Sequence, residues 1–180
     1  MRAVDLIRSR RSVRAFEARP LADGALWACL EAARWAPCEG LRQPWRLAIL
    51  GPASRAQAAR CLAASEARRG VAPGLRAAPA LAGCAEAVAV VQTAAPDDAT
   101  GRSDRLAIGA VVQNLLLSAW DEGFAGLWIG GAAAEDPGLR AAVGAAAGEF
   151  VAAVVALGYP ESVPPRPPRR NVAEFTQRLP

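Results

Sequence analysis

From Asp104 to Glu122 the apolar residues Ile108, Val111, Val112, Leu115, Leu116 and Ala119 recur three and four apart, and Gly123 follows where a left-handed residue ends a helix. So long a helix with so wide an apolar face has to be buried against another layer. Four apolar runs can supply that layer as strands: Arg46 to Leu50, 87–93 (AVAVVQT), 126–130 (GLWIG) and 150–158 (FVAAVVALG). Between them the spacing predicts helices over 3–9, from an Asp23 cap to Ala36 with Cys29, Leu30 and Trp35 on its buried side, from Pro52 to Arg69, and over 135–144. The stretches 70–86 and 94–103, rich in Gly, Pro and Ala or in turn residues, read as loops. Helices and strands mingle, so the class is mixed α and β. At 180 residues the chain reads as one domain, 1–180. After Tyr159 and Pro160 the run ESVPPRPPRRN can form neither helix nor central strand. Residues 160–180 are therefore expected to run extended, as an arm reaching over a second copy.

The absent residue types are as informative. There is no histidine, and all 21 basic residues are arginine. Nucleophile systems that need histidine, histidine metal sites, lysine Schiff bases and the phosphate-binding P-loop are all excluded. Any anion site must use arginine, backbone N–H groups or hydroxyls. The four cysteines (29, 38, 61 and 84) form no C-x-x-C pair, and neither a disulfide framework nor a metal site is expected. No run reads as membrane-spanning and the N-terminus lacks the apolar core of a secretory signal, so the expected setting is the cytoplasm. A net charge of +4 carries little nucleic-acid signal.

That charge is uneven. The stretch RSRRSVRAF holds Arg8, Arg10, Arg11 and Arg14 with no acidic residue between positions 6 and 16, and Arg166, Arg169 and Arg170 form a second cluster near the end. If the first stretch continued as a helix, Arg10 and Arg14 would be like-charged neighbours at i,i+4, at a cost of a few tenths of a kcal/mol, about the inverse of a favourable pair. Either water screens a plain exposed face, the commoner fate of a charge run, or an anion offsets the repulsion. The two clusters could converge in space.

Four stretches taken in order, RSRRSVRAF (8–16), AARWAPCEGLRQPWRLAIL (32–50), GAVVQNLLLSAWDEGFAGLWIGG (109–131) and VALGYPESVPPRPPRR (155–170), resemble the nitroreductase family of FMN-dependent oxidoreductases, most closely its small single-domain members. The resemblance implies an α+β fold with a central mixed sheet flanked by helices. It also implies an intertwined homodimer with exchanged C-terminal arms and two FMN sites at the interface. Arg10, Arg11 and Ser12 match positions that hold the FMN phosphate and ribityl chain, and Arg14 matches a basic position beside the flavin pyrimidine edge. Pro37, Cys38, Glu39 and Leu41 match a loop that touches the flavin from the partner subunit. Trp128, Ile129, Gly130 and Gly131 match backbone lying along the ring near N5. Arg169 or Arg170 would add the last phosphate contact.

The loop departs from the family's usual Pro-Ser-x-x-Asn-x-Gln-Pro-Trp. Leu41 stands at the Asn position and cannot hydrogen-bond flavin, while Glu39 brings a negative charge that Arg42 or another arginine would have to pair. Cys38 reads as a small residue replacing serine, and Arg8, which matches no ligand position, as solvated.

The function implied is ping-pong hydride transfer from NADH or NADPH through FMN to a nitroaromatic, a quinone or a similar electron-poor small molecule. The cofactor carries that chemistry, so no catalytic side chain and no metal is required, and a chain without histidine can run it. The same fold with a specialised flavin reaction (dehydrogenation or dehalogenation), or a flavin-free binding or scaffold protein, are the alternatives. No nucleic acid or membrane partner is expected.

Overall fold

The computed structural model describes residues 2–179, the side chain of Ala132 excepted. Ten regular elements follow one another: α1 (Ala3–Ser9), α2 (Ala25–Ala33), β1 (Trp45–Ile49), α3 (Pro52–Arg68), α4 (Ala78–Gly83), β2 (Glu86–Gln92), α5 (Asp98–Asp121), β3 (Ala125–Ile129), α6 (Pro137–Ala142) and β4 (Phe150–Gly158). The strands form one sheet in the order β1-β2-β4-β3, every neighbouring pair antiparallel. Among the described residues parallel pairing is confined to an isolated bridge between Ser12 and Gly126, so the mixed character expected of the sheet reduces there to that one contact.

Helices cover both faces. Ala87, Ala89 and Val91 of β2 pack with Leu62 of α3, Leu81 of α4 and Leu139 of α6, while the alternate residues Val88 and Val90 pack with Ile108, Val111 and Leu115 of α5 and Cys29 of α2. This is why β2 and β4 read as unbroken apolar runs rather than as alternating ones: neither face meets water. Helix α5 lies along the second face and carries α2 on its outer side.

Four expectations need correction. Helix α2 begins at Ala25 after Gly24 in the left-handed region (φ 78°), so Asp23 caps nothing. Trp35 is 73 % exposed and Trp27 68 %, which places both outside the core of the chain. The supposed loop 70–86 contains α4, whose first N–H groups, of Ala77 and Ala78, are taken by the buried carboxylate of Glu66 on α3. A cap supplied by another helix leaves no local signal. Finally, α5 starts at Asp98, several residues before Asp104, because the Asp97 side chain accepts the Thr100 backbone N–H at 2.8 Å.

Helix α1 ends at Ser9, and Arg10 turns extended (φ −51°, ψ 135°). The arginines of 10–14 are therefore not stacked on a helix face. The chain instead crosses beside β3, with the Val13 N–H donating to Gly126 O at 3.4 Å. A Cβ on Gly126 would overlap Leu116 Cδ2 and stand 3.1 Å from Leu157 Cδ2, so glycine here lets β3 approach α5.

Helix α5 also holds two distant segments. Near its start Asp104, its side chain 5 % exposed, receives a two-pronged bond from Arg42, Nε to Oδ1 at 3.2 Å and Nη2 to Oδ2 at 2.9 Å. Near its end the Trp120 indole N–H donates to Ser9 Oγ at 3.0 Å. Elsewhere Arg46 on β1 binds Glu149 before β4 (Nη2 to Oε2, 2.6 Å), and Glu149 also accepts the Ala146 N–H. Those bonds, Arg46 first, hold the Glu149 carboxyl below its ordinary value of 4.5.

Gly126→Ala should lower stability by about 1–3 kcal/mol through overpacking, seen in thermal melts. Arg42→Leu should lower the thermal midpoint by leaving the buried Asp104 carboxylate without its charged partner, and adding Asp104→Leu should recover most of that loss. Because the folded pKa of Glu149 is depressed, its contribution is present above its unfolded pKa and lost as pH falls through the folded one. The stability gap between wild type and Glu149→Gln should therefore be full near neutrality and close on acidification below about pH 4.

Candidate functional site

The two arginine clusters meet. The extended segment after α1 and the start of the C-terminal arm enclose a cleft of about 650 Å³ lined by six arginines (8, 10, 11, 14, 166 and 169), with Ser12 and the arm prolines, and no carboxylate among the lining residues. Arg11 is anchored at the end of α1, its Nη1 donating to the carbonyls of Arg8, Ser9 and Arg10, each at 2.8 Å. The Nε groups of Arg10 and Arg11 are buried and have no acceptor among the described residues. Burial, then the neighbouring charges of Arg11 and Arg169, push the pKa of Arg10 down. A donor left unmet beside like charges is the signature of a site shaped for an anion.

Arg14 donates to the carbonyls of Leu75 at 3.0 Å and Arg76 at 3.4 Å. The turn Pro73–Leu75 is thereby tied to the cluster, a neighbour that the featureless composition of 70–77 gave no reason to expect. Of the two tail arginines Arg169 lines the cleft, whereas Arg170 sits over the Phe175 ring at 5.4 Å. Arg8, read as solvated, is exposed but also lines the cleft.

The loop after α2 stands apart. Pro37, Cys38 and Glu39 line a smaller cavity of about 300 Å³ against Ser103, Leu106 and Ala107 of α5, and it shares no lining residue with the arginine cleft. Gly40 (φ 57°), Leu41 (φ 52°) and Gln43 (φ 49°) are all left-handed, a costly conformation for the last two. The Arg42–Asp104 pair holds the loop in place. Since Arg42 is engaged there, it does not pair with Glu39, whose Oε2 instead accepts the Ser103 hydroxyl at 2.8 Å. Cys38 Sγ lies 3.4 Å from the Gln43 N–H, so the sulfur serves as an acceptor that closes the loop. Leu41 is 81 % exposed.

At the end of β3, Trp128 is part-exposed and Ile129 buried. A Cβ on Gly130 would stand 2.9 Å from Trp128 Nε1 and 3.2 Å from Ala152 O, and Gly131 has φ 63°. Neither stretch reaches the arginine cleft within one chain. The structure thus gathers Arg10, Arg11, Ser12, Arg14 and Arg169, and leaves Pro37 to Leu41, Trp128 to Gly131 and Arg170 elsewhere.

Comparison with known proteins agrees with this architecture. A Bacillus subtilis (strain 168) protein that carries the name NAD(P)H nitroreductase YfhC is 27 % identical over 177 residues, covering 89 % of this chain and 85 % of its own. A Desulfovibrio desulfuricans protein called a nitroreductase, solved in complex with FMN, superimposes with a TM-score of 0.78 at 27 % identity over 100 % of this chain and 98 % of that one. A nitroreductase-like family protein of Bacillus cereus gives a TM-score of 0.82 at 24 % identity, covering 98 % and 95 % of the two chains. The model of the Nitroreductase family matches residues 7–159, and the chain belongs to that family of oxidoreductases.

Proposed function

We propose that this protein is an FMN-dependent NAD(P)H oxidoreductase that reduces nitroaromatics, quinones or similar electron-poor small molecules by ping-pong hydride transfer. The observation that carries this reading is the arginine cleft: two buried, unpartnered guanidinium Nε groups, a third cation from the arm and no carboxylate, a combination that fits a phosphate-bearing ligand. FMN bound there would supply the electron relay between the nicotinamide donor and the acceptor, through its N5.

The roles of the chain's own residues follow from their placement. Arg10, Arg11, Ser12 and Arg169 would hold the phosphate and ribityl end, Arg10 with the unmet donor that a phosphate oxygen would satisfy. Arg14, steadied by the Leu75 and Arg76 carbonyls, would present a fixed positive charge beside the pyrimidine edge, where negative charge builds up on reduction. Gly130 and Gly131 would let the backbone lie close along the ring.

A homodimer belongs to the same reading. The loop cavity and the arginine cleft share no residue, and the α5 residues that hold their segments, Asp104 and Trp120, stand about 24 Å apart along the helix at 1.5 Å per residue. A second copy would bring Pro37, Cys38, Glu39 and Leu41 onto a flavin held by the first. The exposed Trp27, Trp35 and Leu106, the exposed Val163, Val172, Phe175 and Leu179 of the arm, and the edge position of strand β1 support such an intertwined assembly with exchanged arms. Among the described residues no helix is long and apolar enough to cross a membrane. The cytoplasm, where four unpaired cysteines stay reduced, is the setting this reading implies.

Freshly purified protein should show the two-band visible spectrum of bound flavin and bleach on anaerobic addition of NADH or NADPH. A colourless protein that gains no thermal stability from added FMN would overturn the proposal, and a yellow one inert to both nucleotides would point to a specialised flavin reaction. Arg10→Ala should weaken FMN binding roughly 10- to 100-fold, the loss of one or two charge-assisted hydrogen bonds. Arg14→Ala should retain FMN but slow its reduction; reduction at the wild-type rate would remove the role given to Arg14.

A further inference from the structure

A second polar cavity, of about 520 Å³, lies between the end of β2, the first turns of α5 and the start of β4, and shares no lining residue with the arginine cleft or the loop cavity. Gln92 lines it and is only 4 % exposed. Its Nε2 donates to Gly101 O at 3.2 Å, which fixes the amide orientation, because the reverse would set oxygen against oxygen. Gln92 Oε1 is then a buried acceptor with no donor among the described residues. Two cations stand in the same cavity: Arg102 and Arg105 are exposed and form no ion pair among the described residues, and Arg105 sits over the Phe150 ring at 5.3 Å from its centre. Of the two acidic residues there, Asp97 is spent on the Thr100 N–H and hydroxyl, while the Asp98 side chain makes no hydrogen bond among the described residues.

We propose that this cavity binds a small zwitterion of the α-amino-acid type with an apolar or aromatic side chain. Its ammonium group would donate to Gln92 Oε1, with Asp98 as the second anionic partner, and its carboxylate would pair with Arg102 and Arg105. Phe150 and the neighbouring Ala95 and Pro96 offer apolar wall for the side chain. Each half of the ligand is needed. A simple anion would meet the two guanidinium groups but bring another acceptor towards Oε1, and a simple amine would face two unpaired cations. This site is independent of the flavin reading: none of its residues lines the arginine cleft or the loop cavity.

The test is isothermal titration of the full-length protein, as purified, with L-phenylalanine and L-leucine as probes. Phenylethylamine and 3-phenylpropionate, each lacking one charge, are the controls. Saturable binding of one amino acid per chain is expected, with both controls weaker by at least about tenfold, the scale of one lost charge-assisted bond. The surface variant Arg105→Gln and the buried variant Gln92→Leu should each weaken binding by a similar factor, while flavin content and bleaching by NAD(P)H stay as in wild type. The proposal is overturned if neither amino acid binds at millimolar concentration, in which case ordered water alone meets Oε1. It is also overturned if 3-phenylpropionate binds as tightly as phenylalanine, or if Arg105→Gln and a folded Gln92→Leu bind the probes unchanged. A protein without flavin that still binds phenylalanine would sink the redox reading and leave this one standing.

Discussion

Helix α5 is the part on which the other parts depend. Its apolar face, Ile108, Val111, Val112, Leu115, Leu116 and Ala119, closes one side of the sheet, and each of these side chains is almost wholly buried. Burial on this scale, about 1.5–3 kcal/mol for each large aliphatic side chain, fixes the helix firmly enough for it to act as a rod. Both of its ends are then used. The Asp104 carboxylate and the Ser103 hydroxyl grip the loop after α2, and the Trp120 indole grips Ser9, next to the arginine segment. Polar bonds of this kind position a segment only when their own base cannot move, and here the base is the core itself.

The arginine cleft follows a different logic. Among the described residues nothing neutralises it: the nearest carboxylates along the sequence, Asp5 and Glu17, bond Arg2 and Arg19. Arg10 is half-buried beside Arg11 and Arg169, and burial weighs on its charged form before either neighbour does. A folded protein keeps such an arrangement only because the fold is stabilised elsewhere, by the two apolar clusters on either side of the sheet. The cluster is therefore a poor stability device whose unmet donors would suit an anion. Arg11 shows how the two demands are reconciled, since the side chain that faces the cleft also satisfies three carbonyls at the end of α1.

Most of the architecture was legible because burial writes a period into the sequence. The apolar stripe of α5, the run of β4 and the Pro-led start of α6 were all readable at the level of single elements. What escaped depends on partners far apart in the chain. Helix α4 is capped by Glu66 from α3, so its start looks like loop. Trp35 looks like a core residue because periodicity reports apolarity and not which side is covered; within one chain it and Trp27 are exposed. At the site, the motif order singled out the arginine segment, which charge alone would have left as a solvated face, and the structure gathers that segment with Arg166 and Arg169 around one cleft. The choice between Arg169 and Arg170 was not readable from two adjacent arginines. It is set by Phe175, which holds the Arg170 guanidinium over its ring.

The loop from Pro37 to Trp45 shows how a departure from a family pattern can be absorbed by structure. Replacing a small polar residue with glutamate adds a charge, and the obvious neutraliser, Arg42, is committed to the buried Asp104. The charge is instead turned towards the Ser103 hydroxyl, so Glu39 is held against α5 by the same helix that holds Arg42. Asparagine tolerates the left-handed region because its side chain bonds locally; leucine does not, so Leu41 at φ 52° is kept there by its surroundings. The bonds of Glu39 and Arg42 to α5 supply that restraint on either side of it. The outcome is a rigid loop that presents an apolar side chain, 81 % exposed, where the related loops present an amide. Whatever lies against that side chain is met by shape and dispersion rather than by a hydrogen bond.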